Sequence, residues 1–151
     1  MKVAVFSGSV YGVAEDVARR AESMFKAAGF EVYYNPRTTL ADLLAFAPQA
    51  LLAVTSTTGL GELPDGLQGL YAELRDTLPG ALRGLPGAVI GLGDASYDDT
   101  FCGGGEIIRE LFAELGVVEV QPMLRHDASE TVDQEDDSEP WLQQFIDTLK
   151  G

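Results

Sequence analysis

The chain has 151 residues, 46% of them hydrophobic, a length and content that suit a single domain (1–151) with a proper core and exclude disorder. Its net charge of -14, from 24 acidic against 10 basic residues, makes nucleic acid and anionic membrane poor partners and leaves a basic protein as a suitable one. No apolar run approaches the roughly 20 residues of a membrane span, and a single cysteine excludes an internal disulfide and agrees with a reducing, cytoplasmic setting.

The run Val3 to Phe6 is β-branched and aromatic and predicts a buried strand. It feeds the loop Ser7-Gly8-Ser9-Val10-Tyr11-Gly12, which has two hydroxyls, two glycines and no charge. Val10 to Ala28 then reads as a helix, with Val13, Val17, Ala21, Met24, Phe25 and Ala28 on one stripe and Gly29 as its C-cap. Phe30 to Tyr34 predicts a second strand, broken by Asn35-Pro36. Thr39 to Phe46 predicts a short helix with Thr38 or Thr39 as N-cap, stopped by Pro48.

Ala50 to Thr55 is almost wholly apolar and predicts a central strand. A long loop, Ser56 to Gly66, follows it; loops of that length usually serve function. Leu67 to Leu78 reads as a helix, Ala88 to Gly93 as the fourth strand, and Asp94 to Gly105 as its loop. Glu106 to Leu115 predicts a helix closed by Gly116, and Val117 to Leu124 a fifth strand in which Pro122 marks an edge or a bulge. Asp127 to Glu139 reads as a solvated acidic segment, and Pro140 opens the last helix, Trp141 to Lys150, with Trp141 as a core anchor.

Strand and helix alternate throughout, which predicts an α/β doubly wound sandwich of five parallel strands and five helices. In such sheets ligands bind outside the carboxyl ends of the strands, at the topological switch point. The loops after strands one, three and four all fall at that end. The first loop is neither a Walker A loop nor a dinucleotide fingerprint: no Gly-Lys-Ser/Thr follows, and Gly8 and Gly12 have the wrong spacing. A chargeless strand-to-helix loop can hold the terminal phosphate of a mononucleotide on amides, hydroxyls and the helix dipole. It can equally be a tight turn capped by Ser9. Tyr97, in the fourth-strand loop, can stack on a planar ring at the mouth of the site or pack as an ordinary half-buried residue.

Ser9-Val10-Tyr11-Gly12-Val13-Ala14 resembles the phosphate loop of flavodoxins. Ser56-Thr57-Thr58-Gly59 resembles their second loop, Gly91-Leu92-Gly93-Asp94-Ala95-Ser96-Tyr97 through Phe101-Cys102-Gly103 their third, and Leu124-Arg125-His126-Asp127 the segment after their last strand. The length resembles the short-chain members, and the chain is also similar to the FMN domains of diflavin reductases. The resemblance implies a flavodoxin-like strand order 2-1-3-4-5. It implies FMN held by Ser9, Val10, Tyr11, Gly12, Val13, Ala14, Thr57, Thr58, Gly59, Leu60, Gly61, Leu92, Gly93, Asp94, Tyr97, Phe101 and Cys102, with no catalytic residue and no metal. It implies a low-potential one-electron carrier, not an enzyme with its own substrate, shuttling between a reductase and acceptor proteins as a monomer. Val13 and Ala14 stand where the family often has Asn and Thr, Tyr11 where Thr is usual, and Thr58 where many members have an aromatic; a weaker hold on FMN follows.

What the resemblance implies for mechanism has three parts. Stacking on Tyr97 favours the oxidised ring. The acids Glu62, Asp65, Asp94, Asp98 and Asp99 oppose an anionic reduced flavin. The peptide Gly59-Leu60 turns over and offers a carbonyl to the N5 proton of the neutral semiquinone, a rotation glycine permits at little cost.

Other readings fit less well. A phosphoacceptor receiver needs acids where Ser7-Gly8 and Thr55-Ser56 stand. A cysteine phosphatase needs five residues between Cys and Arg, and Cys102 and Arg109 have six. Asp133, Glu135 and Asp137 begin like a calcium loop, but Ser138 and Gln144 stand where Gly and Glu are needed. Cys102 reads as a small packing residue and His126 as a loop residue near the flavin. The serious alternative is a flavodoxin-like interaction module with weak or no FMN.

Overall fold

The computed structural model describes residues 1–8, 12–56, 63–93, 103–127 and 134–151. In chain order the elements are β1 (Lys2–Gly8), α1 (Val13–Ala27), β2 (Glu31–Tyr34), α2 (Leu40–Phe46), β3 (Ala50–Thr55), α3 (Asp65–Thr77), a 3-10 turn (Gly80–Leu82), β4 (Pro86–Gly93), α4 (Gly103–Leu115), β5 (Val118–Glu119), β6 (Leu124–Asp127) and α5 (Gln134–Lys150). The sheet runs β2-β1-β3-β4-β5, with β6 also paired to β4, and every pairing is parallel. This is the doubly wound order expected.

Period-two alternation sends each strand's side chains into two separate cores. Val3, Val5, Leu52, Val54, Ala88 and Ile90 point to one face, where α1 and α5 cover them with Val17, Phe25, Leu142 and Phe145. Ala4, Phe6, Leu51, Ala53 and Val89 point to the other, against Leu43 of α2, Leu67 and Leu74 of α3, and Ile108, Leu111 and Phe112 of α4. Each fully buried large side chain contributes about 1.5–3 kcal/mol. The central strands β1 and β3 are buried along almost their whole length because both faces are covered.

Helix ends follow local chemistry. Thr39 caps α2, its side chain accepting from the Asp42 amide at 3.2 Å. α1 closes in a Schellman motif: Gly29 at φ +92 lets the Phe30 amide reach the Phe25 carbonyl and the Gly29 amide the Lys26 carbonyl, each at 3.0 Å. Gly116, at φ +80, closes α4 in the same way.

The first helix, expected from Val10, begins at Val13 after the left-handed Gly12, and two further elements come out differently. The fifth strand is two short segments, because Pro122 has no N–H to give the ladder. The gap is pinned to α5: the Trp141 indole donates to the Pro122 carbonyl at 3.0 Å, and Gln121 Nε2 donates to the Trp141 carbonyl at 2.8 Å. Leu124–Asp127, expected beyond the last strand, is β6 itself. The last helix begins at Gln134 rather than after Pro140, which lies inside it. Pro140 cannot donate to the carbonyl four residues back, so proline alone reads as a helix start. Side chains secure the turns before it: Arg20 of α1 reaches both Asp136, at 2.8 Å, and Glu139, and Ser138 is buried against His126.

Candidate functional site

A parallel sheet places all its strand carboxyl ends along one edge. The register sets them side by side: Gly8 opposite Thr55, Thr55 opposite Gly91, and Gly93 opposite Asp127. The chain turns one way from β1 to β2 and the other way from β3 to β4, so the switch point lies between β1 and β3. The ends of the three singled-out loops meet at this edge: Gly8 and Gly12, Ser56 and Leu63, Gly93 and Gly103.

The first loop starts from a tightly held residue. The Ser56 amide donates to the Gly8 carbonyl at 2.9 Å. A Cβ built on Gly8 would lie 2.7 Å from Leu67 Cβ, so only glycine lets α3 come this close to β1. Just before it, Ser7 is buried and its Oγ is 2.7 Å from the Tyr34 hydroxyl at the end of β2. The tyrosine hydroxyl is held above its ordinary pKa, chiefly by burial, and the Ser7 hydrogen bond only partly opposes this. Tyr34 is therefore a neutral phenol at physiological pH.

The loop ends at Gly12, the N-cap of α1, with φ +85 and ψ -2. No side chain caps the helix, and a Cβ at Gly12 would meet nothing within 4 Å. At a helix start the backbone N–H groups and the dipole favour an anion. Val13 is 37% exposed at the first position of α1, while Ala14 is fully buried in the α1–α5 core. Neither offers a hydroxyl. These described parts fit the phosphate end of a mononucleotide.

Leu92 is buried with its side chain in the α1–α5 core, so only its backbone can face a ligand. Gly93 ends β4. Ser9, Val10, Tyr11, Thr57, Thr58, Gly59, Leu60, Gly61, Asp94, Tyr97, Phe101 and Cys102 lie outside the described residues, as do the rim acids Glu62, Asp98 and Asp99.

His126 is not a loop residue. It sits on β6, buried, with Nε2 2.7 Å from Ser138 Oγ. Burial pushes its pKa below the usual imidazole value, with Asp137 pulling the other way. The partnerships Ser7–Tyr34 and His126–Ser138 carry no sequence signal beyond a polar residue beside an apolar strand. Among the described residues no group of His, Cys, Asp and Glu could hold a metal ion, and no helix is long and apolar enough to cross a membrane.

Comparison with known proteins agrees with this fold. The family model for flavodoxin matches residues 5–141. A cysteine-to-alanine variant of a flavodoxin from Pseudomonas aeruginosa is 65% identical, with a TM-score of 0.95 and 100% of both chains covered. The flavodoxin YqcA of Pectobacterium carotovorum subsp. carotovorum is 40% identical over 98% of this chain and 97% of its own. Its namesake in Escherichia coli (strain K12) is 38% identical over 95% of each. The fold order and these matches agree, and the chain belongs to the flavodoxin family, whose members bind FMN and carry electrons.

Proposed function

We propose that this chain holds FMN across the carboxyl ends of β1, β3 and β4 and passes single electrons from a reductase to acceptor proteins, with no substrate of its own. The observation that carries this reading is the start of α1 at a left-handed Gly12, with no side-chain cap among the described residues, beside the switch point. When bound, FMN supplies the one-electron chemistry. The main chain around Gly12 takes the phosphate. Tyr97, Phe101 and the peptides of Thr57 to Gly61 and Gly93-Asp94 line the ring. Gly59 would supply a backbone carbonyl to the ring, glycine allowing its peptide to turn at little cost, and the acids of the rim would oppose added negative charge there. The same acids attract basic redox partners; nucleic acid and membrane are not partners, and the chain works as a cytoplasmic monomer in one domain.

The visible spectrum of the purified protein tests this. Oxidised flavin bands, with two separated one-electron steps in a redox titration, support the carrier. One observation favours a second reading, an interaction module with little FMN: the first two positions of α1, Val13 and Ala14, offer the phosphate no hydroxyl. A colourless protein that takes up no added FMN would favour that module.

A further inference from the structure

The start of the phosphate loop is held from three sides, and one of them is a side chain from the neighbouring strand β2. The Ser56 amide holds Gly8 from β3 at 2.9 Å. Leu67 presses on it from α3. On the α1 face, Ser7 is 3% exposed and its Oγ lies 2.7 Å from the Tyr34 hydroxyl. The first two restraints are backbone and core packing. The third joins a hydroxyl on β1 to one on β2, beyond Val5 and Tyr34, the last pair of the ladder between these strands.

We propose that Tyr34 is a positioning residue for the phosphate of FMN, acting through Ser7 to fix the direction in which the chain leaves β1. The inference rests on the FMN reading above and deepens it. Tyr34 packs at the edge of the α1–α5 core with β1 and α1 around it. Its charged surroundings are Glu15, Arg19 and Glu22, all on α1. A loop whose side chains carry no charge depends on backbone N–H groups and hydroxyls, and these bind an anion together only when their directions converge. Ser7 is the last side chain before that loop, so its orientation is passed directly to the peptide that follows. Tyrosine suits this role because its ring is anchored by packing and its hydroxyl alone reaches the strand end.

The test compares FMN with riboflavin, which lacks the phosphate, on the full chain stripped of flavin. Dissociation constants are read from the quenching of flavin fluorescence. Tyr34→Phe keeps the ring and removes one hydroxyl, and it is expected to weaken FMN about fivefold, the equivalent of one ordinary hydrogen bond. Riboflavin affinity is expected to stay within about twofold. The double variant Ser7→Ala with Tyr34→Phe removes both partners and leaves neither orphaned. It is expected to match Tyr34→Phe alone, and it serves as the probe if the single variant does not fold. An equal loss for both flavins would make Tyr34 a plain structural residue and overturn the proposal, as would an unchanged FMN affinity. A wild-type chain that binds both flavins equally would keep the FMN reading but leave no phosphate contribution to position, which also overturns it. Uptake of neither flavin by the wild type would reject the FMN reading itself.

Discussion

His126 Nε2 and Ser138 Oγ lie 2.7 Å apart inside the protein, joining β6 to the second turn of α5. Burial lowers the imidazole pKa, and Asp137 opposes the shift less strongly. A base with a depressed folded pKa binds its proton in the unfolded chain first. Its stabilising effect is therefore complete above about pH 6.5 and declines as pH falls from there through the lower folded value. Urea unfolding between about pH 8 and pH 5 should show the wild type losing stability more steeply than His126→Gln. Parallel curves would remove His126 as a source of the pH dependence.

Ser138→Ala should cost about 1–3 kcal/mol at neutral pH, because it leaves a buried ring nitrogen without its hydroxyl partner. The unfolding free energy checks this directly. The loss should exceed that of an exposed substitution on the same helix, such as Gln143→Ala.

Gly12→Ala should destabilise the chain by about 1 kcal/mol even though a Cβ there meets no neighbour within 4 Å. The strain comes from φ +85, not from crowding. Relief of that strain would turn the α1 start away from the loop, so FMN affinity should fall together with the unfolding midpoint. A drop in neither would show that the backbone relaxes freely.

Gly105→Ala tests crowding instead. A Cβ at Gly105 would lie 2.6 Å from Met123 Sδ and 3.2 Å from Gly91 Cα. Met123 can move, but the strand backbone cannot, so α4 must lift from β4. A loss of about 1–3 kcal/mol is expected in denaturant unfolding.

Tyr97→Ala should weaken FMN about tenfold if the ring stacks on the isoalloxazine, given about 1 kcal/mol beyond the area buried. Flavin fluorescence titration reads this. The rate of electron transfer with a basic partner should also fall as salt rises past a Debye length of about 10 Å. A salt-independent rate would reduce the chain's net charge of -14 to a solubility role.

Most of the fold can be read along the chain because it rests on local rules. Buried strands show as apolar runs at Val3 to Phe6 and Ala50 to Thr55, and Gly29 and Gly116 end their helices as left-handed caps must. Pro122 and Pro140 mislead in opposite ways. Pro122 leaves the direction of the fifth strand intact but breaks its ladder, and Pro140 sits within a helix that side chains hold from outside. In the candidate site Gly8 and Gly12 were legible as loop glycines, but the left-handed turn at Gly12 and the close approach of Leu67 to Gly8 were not, because both depend on how α1 and α3 pack. That Ala14 and Leu92 turn inward was not, because which face a residue takes depends on what packs over it.

The sequence by itself determined the alternation of strand and helix, the loops that gather at one edge of the sheet, the acidic surface and the family. These follow from hydrophobic period, turn chemistry and charge, which act over a few residues. Only the tertiary structure decided that Ser7 meets Tyr34, that His126 meets Ser138, and that Arg20 fastens the start of α5. A hydrogen bond between residues far apart in the chain needs its two groups brought within about 3 Å at a suitable angle. That condition is met by the packing of whole elements and leaves no periodic trace in the residues themselves.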